Sequence, residues 1–189
     1  MKQHCTVILG SSSPRRKELL QAWGIDCEIM VPVEGEMLDD GDPVATVEAI
    51  AKSKMASLQR LENHVYITAD TIVHADGRLL GKPSSVEHAR EMIAFLSGRR
   101  HVVSTAFVVA GVGEVLRTVH TQVWMQEIPG SWINMYLERA SFFDKAGGYG
   151  IQEHAGVFVE KVEGSLTNVI GLPMLELMQS LEAVGAISF

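Results

Sequence analysis

Two short runs, CTVILGS (residues 5–11) and HVYITADTIV (residues 64–73), most constrain what this chain can become. Both read as strands built almost wholly of apolar residues, without the in–out alternation of a sheet that faces water on one side. Such strands are covered on both faces, which calls for helices packed above and below. The chain supplies them by alternation. Pro14 stands at a first helical position, with Ser13 as its cap and Gly24 as its stop, predicting a helix over 15–23. CEIMVPV reads as a second strand that ends in the acidic loop EGEMLDDGDP, and a long helix follows from about Val44 to Leu61. Asp76-Gly77 turns the HVYITADTIV strand into RLLGKP as a hairpin. Ser84 and Glu87 form a capping box for a helix that Gly98 ends. Two long antiparallel strands flank GVG. A helix at PGSWINMYLERA, the glycine-rich DKAGGYGIQ, a last strand at GVFVEKVEG and a closing helix after Pro173 complete the series. The expected class is α/β, one domain over residues 1–189, without repeats or a separable linker.

Composition narrows the partners. The net charge is −7, with acids scattered and bases clustered at a few places. A nucleic-acid-coating surface needs a broad excess of Lys and Arg, so no nucleic-acid partner is expected, although a small basic pocket is compatible. Cys5 and Cys27 form no CxxC pair and the seven histidines no HxxxH pair, which argues against structural zinc and a disulfide framework. The apolar part of MKQHCTVILG is too short for a typical signal peptide, and no run approaches the ~18–20 residues of a membrane span. A soluble, cytoplasmic protein with no membrane partner is expected.

Several residues break local rules. Arg15 and Arg16 occupy the first turn of a helix, where the positive end of the dipole disfavours cations by roughly 0.3–1 kcal/mol each. Lys54 lies in the middle of the apolar stripe Val47, Ile50, Ala51, Leu58 and Leu61, while Lys52 points elsewhere. A lysine there either snorkels to water or meets a buried anion. Asp70 interrupts a strand where Ile or Val would be expected, and a carboxylate in such a place is paired, hydrogen-bonded or metal-bound, for structure or for function. Taken singly, Lys82 in GKP reads as a solvated loop lysine, Glu36 as part of an acidic loop without EF-hand spacing, and Gln152 after GGYG as a turn residue.

Taken together, the pattern changes meaning. Helix-start amides and arginine forks suit phosphate oxygens, and a bound polyphosphate would outweigh the dipole penalty. Asp70 and Glu36 could hold a divalent cation bridging those oxygens. These residues point to a nucleotide or polyphosphate site.

The segments SSSPRRKELL, AKSKMA, ADTIV, GKP, SGRRHVVSTA, DKAGGYGIQ and GSLTNVIGLP, in order and across almost the whole chain, resemble the motif series of the Maf family of nucleoside triphosphate pyrophosphatases. The resemblance implies an elongated mixed β-sheet flanked by helices, related to inosine triphosphate pyrophosphatases, with an active cleft between two lobes. It implies hydrolysis of a nucleoside triphosphate to the monophosphate and pyrophosphate with Mg²⁺ or Mn²⁺, and a homodimer. Family roles fall on Ser11, Arg15, Arg16, Lys54 and Lys82 as phosphate contacts, on Asp70 as catalytic base and metal ligand, and on Glu36 at the metal. Arg15, Thr71 and Gln152 carry specificity: the 7-methyl-GTP branch has tryptophan and glutamine at the first two positions and lacks the KAGGYGIQ form, so the chain resembles the dTTP/UTP branch. Gln152 offers one donor and one acceptor, which could read the imide edge shared by uracil and thymine. Two positions depart from the common pattern, Gly35 where an acid is usual and Glu153 where a glycine is usual. The rival expectations are a nucleotide-binding regulatory module acting in septum control, a 7-methyl-GTP-type enzyme, and a phosphohydrolase releasing a single phosphate.

Overall fold

The computed structural model describes residues 1–33 and 41–189. In chain order its strands are β1 (Lys2–Gln3), β2 (Thr6–Gly10), β3 (Cys27–Ile29), β4 (His64–Ala75), β5 (Arg78–Leu80), β6 (Arg100–Ala110), β7 (Glu114–Met125), β8 (Val159–Glu163) and β9 (Ile187–Ser188). Its helices are α1 (Pro14–Ala22), α2 (Pro43–Ala56), α3 (Val86–Leu96), α4 (Gly130–Arg139), α5 (Leu166–Ile170) and α6 (Met174–Ala183), with 3-10 turns at Ala146–Gly148 and His154–Phe158. A seven-stranded sheet runs β3-β2-β4-β6-β7-β8, with β5 added to the edge of β4. β2 is parallel to both β3 and β4, and the remaining pairs are antiparallel. The fold is therefore mixed α/β, as expected. Among the described residues no helix is long and apolar enough to cross a membrane.

The sheet carries three apolar clusters. One face of β2, β4 and β6 packs on α1 and α6 through residues such as Leu9, Ile67, Phe107, Leu20 and Leu177. The opposite face lies under α2 through Tyr66, Ile72, Val108, Val47 and Met55. Further along the same strands, Val73, Val103 and Val123 pack with α3 and α4. The long strands thus feed every cluster.

β4 changes partner in mid-course. Along one edge it pairs with β2 as far as Gly10↔Thr68 and with β5 from Val73↔Leu80 onward. Along its other edge it pairs with β6 without a break from Tyr66 to His74. Among the described residues, 69–72 therefore have no strand partner on one side, and a gap opens where β2 turns away into α1.

Local expectations are met with four differences. Asp76 (φ 48°) and Gly77 (φ 74°) make the tight turn into β5. α2 ends at Ala56 rather than Leu61, because the Ser57 hydroxyl donates to the Lys54 carbonyl and the Tyr66 hydroxyl holds the chain beyond, accepting from the Leu61 N–H and donating to the Gln59 carbonyl. The cap of α3 is Ser85, which accepts from the His88 N–H, while the Ser84 hydroxyl meets the His88 ring. Ser13 occupies the N-cap of α1 without a side-chain cap bond, and its own N–H goes to the Ser11 hydroxyl. The CEIMVPV strand contracts to Cys27–Ile29. The ribbon of β1 with β9, and the short α5, have no counterpart in the sequence reading.

His101 on β6 ties the sheet to the glycine-rich segment. It is 1% exposed, and its Nε2 lies 2.7 Å from the Tyr149 hydroxyl. Burial pushes the imidazole down to about pH 4. An unfolded histidine titrates near 6.5, so the unfolded chain binds the extra proton first and stability falls as pH drops from about 6.5 through about 4, by on the order of 3 kcal/mol. Urea unfolding measured from pH 7 to pH 4 should show this fall. His101→Phe should lower stability throughout yet flatten the pH dependence by that amount; an equally steep fall in the variant would contradict the assignment.

Candidate active site

The gap beside residues 69–72 opens into a cleft lined by the β2–α1 turn, α2, β4 and the glycine-rich segment. Among its described lining residues are five cations, Arg15, Arg16, Lys54, Lys82 and Lys145, against two carboxylates, Asp70 and Asp144. In a chain of net charge −7 this is a local inversion of sign. Low-dielectric walls make such a focus of positive potential attractive to anions.

Arg16 fills the gap itself. It is 8% exposed, and its Nε donates to the Gly171 carbonyl (2.8 Å). One terminal nitrogen donates to the Ala69 carbonyl (2.8 Å) and the Ser11 hydroxyl (3.0 Å), the other to the Thr71 hydroxyl (3.1 Å). Four of its five N–H groups are thus used within the protein. Burial pulls its pKa down, the Asp70 charge pulls it back up, and Arg15 lowers it again. The Ser11 oxygen accepts from Arg16 and from the Ser13 N–H, so both lone pairs are taken and its proton remains to be donated. Thr71 lies 2.9 Å from the Thr105 hydroxyl, which in turn donates to the Asn168 carbonyl, so its direct contact is with Arg16 and the sheet.

Lys54 meets its anion. Successive residues of a strand face opposite sides, so Asp70 points to α2 while Thr71 points to Arg16. The Thr68 hydroxyl donates to the Ala51 carbonyl, and one helical turn on, Lys54 Nζ lies 2.6 Å from Asp70 Oδ1. Side-chain exposures are 11% and 20%, so the pair is shielded but reaches the cleft. Asp70 Oδ2 makes no hydrogen bond to a described residue.

Arg15 carries a partner that the sequence reading missed. Its guanidinium forms an ion pair with the Asp144 carboxylate and donates to the Asp144 carbonyl at 2.9 Å. Burial would push the Asp144 carboxyl up, but hydrogen bonds from Arg15 and Lys145, with their charges, outweigh it and hold the group below its usual range. Lys145 is 4% exposed. The signal for both is the Asp-Lys pair directly ahead of the glycine run, where a carboxylate and an ammonium adjoin in sequence. Gly150 leaves room for that lysine, since a Cβ there would sit 2.6 Å from Lys145 Cε. The run is no loose turn: the Gly147 N–H donates to the Gly81 carbonyl, the Tyr136 hydroxyl donates to the Gly148 carbonyl, and Tyr149 meets His101.

Lys82 and Gln152 also line the cleft. Glu153, the departure from the common pattern, lies 3.1 Å from Lys145 Nζ. Glu36 and Gly35 fall outside the described residues. Among the described residues no three His, Cys, Asp or Glu side chains gather as a metal site. With Asp144 engaged by Arg15 and Lys145, Asp70 is the described carboxylate able to face a cation, and that donor set fits a Mg²⁺-type ion held by one or two carboxylates and substrate phosphates.

A family model described as Maf-like protein matches residues 6–184. A dTTP/UTP pyrophosphatase of Thermotoga maritima (strain ATCC 43589 / DSM 3109 / JCM 10099 / NBRC 100826 / MSB8) is 40% identical over 183 residues, covering 95% of this chain and 89% of that protein. One of Geobacter sp. (strain M21) is 37% identical over 190 residues, 98% of each. A solved nucleoside-triphosphatase / dITP/XTP pyrophosphatase of Mycobacterium abscessus ATCC 19977 / DSM 44196 matches 66% of this chain and 76% of its own with a TM-score of 0.39 and 15% identity, and the assignment does not rest on it. With the family model spanning all but the two ends of the chain, and relatives of this identity matching nearly end to end, the protein belongs to the Maf family.

Proposed function

We propose that this chain is a nucleoside triphosphate pyrophosphatase acting on dTTP and UTP, releasing the monophosphate and pyrophosphate. The observation that carries the reading is a cation-lined cleft in whose wall Asp70 is held by Lys54 through Oδ1, with Oδ2 making no hydrogen bond to a described residue. The relatives named dTTP/UTP pyrophosphatase support the substrate class. A binding module gains little from a carboxylate beside a polyanion, and Asp70 sits beside the cations that would hold one.

In this reading Arg15, Lys54 and Lys82 face the phosphates, Ser11 donates its hydroxyl proton to them, and Arg16 contributes its fifth N–H. Lys54, already on Oδ1, holds the Asp70 carboxylate in place. Oδ2 takes the proton of a water that forms a bond to the α-phosphorus, and the bond to the bridging oxygen breaks with pyrophosphate leaving. The cations stabilise the charge that develops on the phosphate oxygens. A divalent ion, Mg²⁺ or Mn²⁺, held by Asp70 with Glu36, would supply charge neutralisation to the phosphates when bound. Gln152 reads the imide edge of the base.

The test is product analysis over a panel of canonical and modified triphosphates with Mg²⁺ or Mn²⁺. Monophosphate and pyrophosphate from UTP and dTTP are expected, and Asp70→Asn should lower kcat by about 10²-fold or more. Diphosphate with orthophosphate, or an undiminished rate in that variant, would contradict the mechanism, and no turnover across the panel would favour the binding module. The two arginines should separate. Arg16→Met leaves three buried carbonyl or hydroxyl groups of the gap and one of the α5–α6 turn without their donor, so urea unfolding should show a loss on the order of 3 kcal/mol, with activity reduced on every substrate. Arg15→Trp should shift preference among bases with little change in stability; matching, uniform losses from both variants would refute the division.

A further inference from the structure

Lys145 is a buried ammonium in the wall of the proposed nucleotide cleft, held there by acceptors of the protein itself. An ammonium has three N–H donors. Lys145 Nζ donates to the Ser141 carbonyl and to Asp144 Oδ1 at 3.1 Å, and it forms an ion pair with Glu153 Oε1 at 3.1 Å. Its stem lies in the space that Gly150 leaves open, so the lysine has a built place in the loop.

The charges around it cancel. Arg15 and Lys145 pair with Asp144 and Glu153, so Lys145 acts through geometry, while Arg15 keeps its place among the phosphate contacts of the proposed function. The outer member of this network, Glu153, adjoins Gln152, an exposed cleft residue whose amide makes no hydrogen bond to a described residue. No described residue holds the Gln152 side chain by a hydrogen bond. Its backbone is set by a neighbour tied to a buried lysine, in a segment moored by Tyr136 and Tyr149.

We propose that Lys145 and Glu153 are a positioning pair that fixes Gln152 against the base, so that the choice between uracil or thymine and cytosine depends on an ion pair that touches no substrate. This rests on the pyrophosphatase reading for the identity of the ligand, but its readout is binding. The pair also accounts for an extra carboxylate near a polyanion: Lys145 neutralises it at 3.1 Å.

The test measures equilibrium binding of the α,β-methylene analogues of UTP and CTP, which differ at the imide edge and resist cleavage between the α- and β-phosphorus, to the full chain and to Glu153→Ala, Gln152→Ala, the double variant and Lys145→Met. Glu153→Ala should lower the preference for the uracil analogue by about tenfold, a change of about 1.4 kcal/mol. In the Gln152→Ala background the same substitution should change that preference by less than about twofold, because the effect runs through Gln152. Lys145→Met should mimic Glu153→Ala where it folds, and Glu153→Ala keeps the test available where it does not. An unchanged preference in Glu153→Ala, an equal loss with and without Gln152, or no preference in the unaltered protein would each overturn the proposal. Preferential binding of the uracil analogue without turnover of any triphosphate would overturn the pyrophosphatase reading and leave the positioning pair standing.

Discussion

The exchange of partners along one edge of β4 is the constraint on which the site depends. Between Thr68 and Val73 no strand among the described residues covers that edge, and backbone left open inside a protein needs other partners. Arg16 supplies them, joining Ala69 and Thr71 of β4 to Ser11 and to the α5–α6 turn at Gly171. The same break lets consecutive residues of one strand contribute from opposite faces, Asp70 toward α2 and Thr71 toward α1.

Electrostatics then sorts the cations by role. The two arginines at the start of α1 sit badly with its dipole, and no acid in the first turn helps them. Each finds acceptors elsewhere: Arg16 mainly backbone and hydroxyl oxygens, Arg15 the Asp144 carboxylate and carbonyl. Lys54 is set on the core face of α2 because Asp70 waits one turn beyond the Thr68–Ala51 contact. On the proposed function these arrangements hold their charges ready before substrate arrives, so little reorganisation is left for the moment of reaction.

Much of this was legible in the chain, for identifiable reasons. Continuous apolar strands, the Asp76-Gly77 turn and the Pro14 helix start are local signals whose physics acts within a few residues. Lys54 and Asp70 were legible as violations of a buried pattern, and the structure pairs them. The Ser85 cap, the early end of α2 at Ser57 and the Asp144–Lys145 network were not. The first is decided inside the first turn of α3, where the His88 ring takes Ser84; the other two are decided by partners on other elements, the Tyr66 hydroxyl of β4 and Arg15 lying 129 positions from Asp144. Arg16 was legible as an anomaly but not in kind, since its charge serves the fold of the cleft as much as any ligand.

The central claim is that Asp70 directs water to the α-phosphorus of a pyrimidine triphosphate. Hydrolysis of UTP by the metal-loaded protein in ¹⁸O-enriched water, with mass analysis of both products, tests it most directly. The account predicts one ¹⁸O atom in the monophosphate and none in the pyrophosphate. Label in the pyrophosphate, or in released orthophosphate, would contradict it.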